Sequence, residues 1–142
     1  MGLYVITTQT MTFSGADLTD HIESATIEVE ADHVISTNFA SAGWEEGLGG
    51  IKRYKLNITF QQDFADDEVY EKVFGNASVV ALLGTSCAWT AKPTSASTSA
   101  TNPQFSGNVI MTGGTLLGGA VGELAKASVT FPGTGALAVA TT

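Results

Sequence analysis

Between residues 53 and 61 apolar and polar side chains alternate without interruption. Tyr54, Leu56, Ile58 and Phe60 stand between Arg53, Lys55, Asn57, Thr59 and Gln61. Successive side chains of a strand point to opposite faces, so a period of two predicts a strand with one buried face. The same pattern recurs over 24–30, where Ala25, Ile27 and Val29 oppose Thr26, Glu28 and Glu30, and over 125–131, where Ala125, Ala127, Val129 and Phe131 oppose Lys126, Ser128 and Thr130. Shorter or less regular strand patterns cover 3–7, 34–39, 86–91 and 105–112. One segment has a helical period. Val69, Tyr70, Val73 and Phe74 form a stripe, Asp66, Asp67 and Glu68 sit at its positive end, Glu68 and Lys72 are spaced as an i,i+4 pair, and Gly75 is placed to stop it. A helix is therefore expected over 66–74, and the apolar run 77–83 is too short to assign by period.

Two stretches lack either period. Residues 39–50 (FASAGWEEGLGG) separate two strand patterns by more than a hairpin needs, and long ordered loops tend to carry function. Residues 92–103 are rich in Ser and Thr and read as an extended connection, because the 39 residues after them are too few for an ordinary second domain. The expectation is a single, mainly β domain over 1–142.

Composition narrows the functional classes. Only 14% of the 142 residues are charged, 44% are hydrophobic, and the net charge is −8. An average soluble domain is about 25% charged. A surface of Thr, Ser, Ala and Gly is desolvated cheaply, which suits a subunit that hides its exterior against neighbours. Six Lys and Arg residues cannot supply the phosphate neutralisation on which nucleic-acid binding rests. Cys87 is the only cysteine, so no disulfide within the chain is expected, and its apolar setting beside Ala88 and Trp89 fits a small buried hydrophobe. The first dozen residues lack the basic and long apolar regions of a secretory signal, and no apolar run approaches a membrane span.

No catalytic constellation emerges. The Gly-rich pieces at 47–50 and 113–122 lack the spacing of phosphate-cradling loops. His21 and His33 are twelve residues apart without cysteine partners and read as surface histidines. Asp63, Asp66, Asp67 and Glu68 lack the order of a calcium loop. The sequons at Asn57 and Asn76 carry no weight without a secretory signal, and Glu45 and Glu46 beside Trp44 are neighbours without a fixed separation. Neither enzymatic activity nor a cofactor or metal site is expected.

An ordered set of segments carries a resemblance. It comprises Asp17-Leu18-Thr19-Asp20, the strand SATIEVEAD at 24–32, Asn38-Phe39 through Trp44-Glu45, Gly50-Ile51-Lys52, and Phe60-Gln61-Gln62-Asp63-Phe64. It continues with SATNPQFSGNV at 99–109 and GAVGELAKASVTFPGTGAL at 119–137. In this set the chain resembles the major tail tube proteins of long-tailed, non-contractile bacteriophages (siphophages). The resemblance spans about the last seven-eighths of the chain.

It implies a β-sandwich or half-barrel of two antiparallel sheets with one flanking α-helix. It implies six copies to a ring and rings stacked into a tube for DNA ejection, with tape measure, tail terminator and distal tail proteins as further partners. Assembly would take place in the host cytoplasm and the product would be the virion tail. Under this reading Ser41, Ala42, Gly43, Trp44, Glu45, Glu46, Gly47, Leu48, Gly49 and Gly50 reach the next ring, with Trp44 and Leu48 as anchors and the glycines allowing a change of shape. Glu28 and Glu30 line the lumen. Lys52, Arg53 and Lys55 face Asp66, Asp67 and Glu68 of a neighbouring subunit. Each has a plainer counterpart: Trp44 tucked against its own core, a solvated strand face, and an exposed basic cluster. Two other functions stay open, a monomeric carbohydrate-binding or adhesion module with Trp44 or Trp89 as a stacking platform, and a ring subunit of another tubular injection device.

Overall fold

The computed structural model describes residues 3–66, 68–75 and 83–142. Among these, seven antiparallel strands join: β1 (Thr10–Phe13), β2 (Ala16–Asp17), β3 (Ile22–Ile35), β4 (Gly47–Gln61), β5 (Ser86–Lys92), β6 (Gln104–Ile110) and β7 (Lys126–Ala140). Their hydrogen-bonded order is β2-β1-β5-β6-β7-β4-β3. The mainly β architecture is thus as expected, and β7 merges the two expected sheets into one. Its first half pairs with β4, as in Leu56↔Phe131 and Phe60↔Ala127, and its second half pairs with β6, from Val109↔Gly133 to Gln104↔Ala140.

The sheet folds over its own apolar face. Phe13 of β1 and Phe131 of β7 meet with ring centroids 4.9 Å apart, although β5 and β6 lie between their strands in the hydrogen-bonded order. The alternating patterns fill the space between. Tyr54, Leu56, Ile58 and Phe60 from β4, Ala127, Val129 and Phe131 from β7, and Cys87, Trp89 and Ala91 from β5 are all buried. Each large side chain so buried stabilises the fold by about 1.5–3 kcal/mol relative to exposure. Burial of Cys87 agrees with its apolar sequence setting, and burial of Trp89 rules it out as a stacking platform.

The helix expected over 66–74 is instead a single π-helical turn, Tyr70–Phe74. The Tyr70 amide donates to the Asp63 carbonyl at 3.0 Å and the Phe64 and Tyr70 rings lie 5.2 Å apart, so Asp63 and Phe64 lie back against the turn. Val69, Val73 and Phe74 are buried as the apolar stripe requires, and Gly75 (φ 88°) ends the turn. Asp67 and nearly all of the apolar run 77–83 lie outside the described residues.

Two further boundaries move. Gly47, Leu48, Gly49 and Gly50 are not loop but the start of β4, paired with the end of β3 through Ile35↔Gly47, Val34↔Leu48 and His33↔Gly49. Residues 3–9 form no strand, although 3–7 has a strand's composition. The Ser/Thr-rich segment is tied down by one buried side chain, since Asn102 Nδ2 donates to the carbonyls of Ala96 (2.9 Å), Ser97 (3.3 Å) and Thr94 (3.4 Å), while its Oδ1 accepts from the Thr94 amide (3.0 Å).

Candidate functional site: a projecting hairpin and the fork at its base

β3 and β4 stay paired along their whole length, but β7 keeps company with β4 only from Gln61 to Lys55. At Pro132 it turns away to β6. Beyond that point residues 29–35 and 47–54 pair as strands only with each other, so a two-stranded arm projects from the sheet.

Tyr54 fills the crotch of the fork. It is buried, and its hydroxyl donates to the Asn108 carbonyl. The ring occupies the space that a Cβ on Gly133 or Gly107 would need. Such an atom on Gly133 would fall 2.5–2.6 Å from three ring carbons, and one on Gly107 would fall 2.4 Å from the hydroxyl oxygen. Two glycines therefore allow the sheet to divide around an aromatic ring.

The arm carries little core and many exposed apolar side chains, including Val29, Val34, Ile35, Leu48 and Ile51. Its tip is a built turn. The Asn38 side chain accepts from the Ala40 amide (2.9 Å), Ser41 Oγ accepts from the Asn38 amide (3.1 Å), and the Trp44 amide donates to the Ser41 carbonyl (3.0 Å). Ala42 and Gly43 take left-handed conformations (φ 51° and 86°) to complete it. This turn holds Phe39 and Trp44 out in solvent, with Trp44 78% exposed, so Trp44 is not tucked against its own core. Glu45 and Glu46 are exposed beside it. Gly47 and Gly50 make room across the ladder, because a Cβ at Gly47 would strike the His33 ring at 1.8 Å and one at Gly50 would lie 2.9 Å from Asp32 Cβ.

The polar face of β3, β4 and β7 is a ladder of cross-strand pairs. Glu28 meets Lys55 (3.0 Å), Glu30 meets Arg53 (3.3 Å), and Arg53 also makes a two-pronged contact with Asp32 (2.7 and 3.0 Å). Hydroxyl and amide groups continue it through Asn57, Thr130, Thr59 and Ser128, and Lys126 closes on Glu23 at 2.8 Å. Hydrogen bonds from Lys55 and Asn57 lower the pKa of Glu28, and those from Arg53 lower that of Asp32. Arg53 and Lys55 thus already have acidic partners within the chain. Asp66 is exposed, and Glu68 turns toward His21.

His21 is the residue whose setting the sequence does not disclose. Its side chain is only 17% exposed; Nδ1 lies 2.9 Å from Asp20 and 3.3 Å from Glu68, and Nε2 lies 3.0 Å from Asp63. Both ring nitrogens therefore face carboxylates, an arrangement that the doubly protonated ring satisfies. Burial pulls its pKa down, but the hydrogen bonds to Asp63 and Asp20 and the charges of Asp20 and Glu68 outweigh this, and the net shift is upward from 6.5. The ligand atoms of His21, Asp63 and Glu68 lie within 4.8 Å of one another, close enough for one cation, and here the two ring nitrogens meet the carboxylates directly. His33 is exposed over Gly47.

No family model matches the chain, and no curated protein matches it. Solved structures do share its fold. A chain from the virion of a native gene transfer agent particle superposes with a TM-score of 0.61 at 18% identity, covering 85% of each chain. A chain from the tail of an empty gene transfer agent particle, refined with C6 symmetry, superposes with a TM-score of 0.61 at 17% identity, covering 85% of this chain and 83% of that one.

Proposed function

We propose that this protein is a structural, non-enzymatic subunit of a phage-type tail, assembling as hexameric rings that stack into a tube for DNA ejection. The observation that carries the reading is the projecting β3–β4 arm. Phe39 and Trp44 are held in water on a hydrogen-bonded turn beside the arm's other exposed apolar side chains, and a subunit that seats them on a neighbour gains their burial. The fold shared with a chain from a C6-symmetric tail supports a ring, in which a contact that closes around an axis gives six-fold symmetry and an axial contact that never closes gives a filament.

In this assembly the tip 41–46 with Phe39, followed by Leu48, reaches the adjoining ring. The polar face of β3, β4 and β7, with Glu28 and Glu30, lines the lumen. Its charges are paired across strands and interspersed with Thr, Ser and Asn, so passing DNA finds neither free cations to bind nor a strong repulsive field. Of the basic cluster, Lys52 is the residue left to meet an acidic patch such as Asp66 and Glu68 on a neighbour, because Arg53 and Lys55 are engaged at home. The tape measure, tail terminator and distal tail proteins would bound the tube, with assembly in the host cytoplasm and the virion tail as its destination. Negative-stain microscopy of concentrated protein tests the reading: rings or hollow tubes of uniform width are expected, and a monomer at every concentration that binds glycans through Trp44 would replace it with the adhesion module.

A further inference from the structure

The fork leaves two strand edges facing one gap. Residues 47–54 of β4 lose their β7 partner beyond Lys55↔Pro132, and residues 133–140 of β7 are bonded to β6 on one side only. Among the described residues no backbone group bridges the two edges. Between them lies an open cleft of about 830 Å³, whose walls include Val29, Tyr54, Ala136 and Leu137. A row of unpaired amides and carbonyls on each side of an apolar floor is a slot for one extended segment.

The same chain carries a segment of matching character. Residues 3–9 (LYVITTQ) have a strand's composition, no charge and no strand partner, and Leu3, Tyr4, Val5 and Ile6 are all exposed. Leu3 and Val5 fall on one face of an extended chain and Tyr4 and Ile6 on the other. A strand apolar on both faces suits an interior position with neighbours at both edges, not a half-solvated one. The lengths agree, seven residues for two free edges of eight each. Of the cations lining the cleft, Arg53 is neutralised by Asp32 and Glu30 while Lys52 adds one positive charge, and an uncharged strand brings no like charge against it.

We propose that residues 3–9 of a second copy of this chain enter the cleft between β4 and β7 as an added strand, so that each subunit lends its leading segment to the next. This rests on the reading of the protein as a self-assembling subunit and names the surfaces by which copies join. The test mixes two single variants of the full chain, Val5→Cys and Ala136→Cys, under assembling conditions with a short bis-maleimide. Cys87 is buried and stays silent. A crosslinked species of twice the subunit mass is expected, several-fold above that from Val5→Cys mixed with the fully exposed Val121→Cys. Rings or tubes by microscopy with crosslinking no higher than this control overturn the docking and leave the tail reading intact. Crosslinking without rings or tubes supports the docking and overturns the tail reading, and the absence of both overturns both. A double variant that crosslinks only within one chain overturns exchange between copies.

Discussion

Gly133→Ala adds one methyl group and, if the fork is built as described, costs far more than its size suggests. The backbone of Gly133 is not in the left-handed region, so alanine brings no conformational strain of its own. The cost is contact. The new Cβ would sit 2.5 Å from Tyr54 Cζ and 2.6 Å from Cε1 and Cε2, where ordinary contact begins near 3.4 Å. The ring cannot simply slide, because Gly107 approaches its other end, its hydroxyl is bonded to Asn108, and the Trp89 ring stands 6.1 Å away. Overpacking of this kind costs about 1–3 kcal/mol, and breaking the hydroxyl bond adds about 1 kcal/mol. We expect Gly133→Ala to destabilise by about 2–4 kcal/mol in equilibrium urea unfolding. Tyr54→Ala alone should cost about 3–5 kcal/mol through the cavity it leaves. In that background Gly133→Ala should cost almost nothing, since the ring it struck is gone. Tyr54→Phe, which keeps the ring, should not rescue it. Single-variant costs that add to within about 0.5 kcal/mol would mean that the two positions do not compete for space, and the description of the fork would fail.

Three further outcomes follow from the same geometry. Below the unfolded histidine pKa of 6.5 the His21 contacts contribute in full, and because the folded pKa is raised, that contribution is lost as pH climbs through it. The gap in melting temperature between wild type and His21→Gln should therefore be widest near pH 5.5–6 and shrink by pH 8.5 (roughly, on the reference pKa scale); a gap that grows with pH would contradict this. Asn102→Ala should raise amide exchange across 94–102 and destabilise by about 1–2 kcal/mol, since the buried Asn102 side chain bonds several backbone groups at once; unchanged exchange would contradict it. Trp44→Ala should leave the melting temperature within about 2 °C of wild type, because the ring is exposed, yet abolish stacking into tubes in negative stain.

The parts of this architecture that show in the sequence are those with one buried face. Tyr54 through Phe60 and Ala127 through Phe131 alternate because every second side chain enters the core. Where a strand leaves the core the pattern dissolves. The second half of β7, where only Leu137 packs against the core, and the first four residues of β4, Gly47 to Gly50, are held mainly by pairing, so no regular alternation marks them as strand. The helical stripe at 69–74 was legible as apolar contact, but its winding was not, since the Asp63 carbonyl that captures the Tyr70 amide is a backbone group. Trp44 stood out in the sequence as a large aromatic within a loop, and the structure holds it exposed. His21 did not, because Asp63 and Glu68 come to it from 42 and 47 residues away, a distance over which spacing carries no signal.

The most direct measurement is electron microscopy of the purified protein over a concentration series, paired with light scattering. Hollow tubes of constant width whose averaged cross-section has six-fold symmetry, lost in Trp44→Ala, are the predicted result. A monodisperse particle of 14.7 kDa at every concentration, with or without that tryptophan, would contradict the proposal that this chain is built to stack on itself.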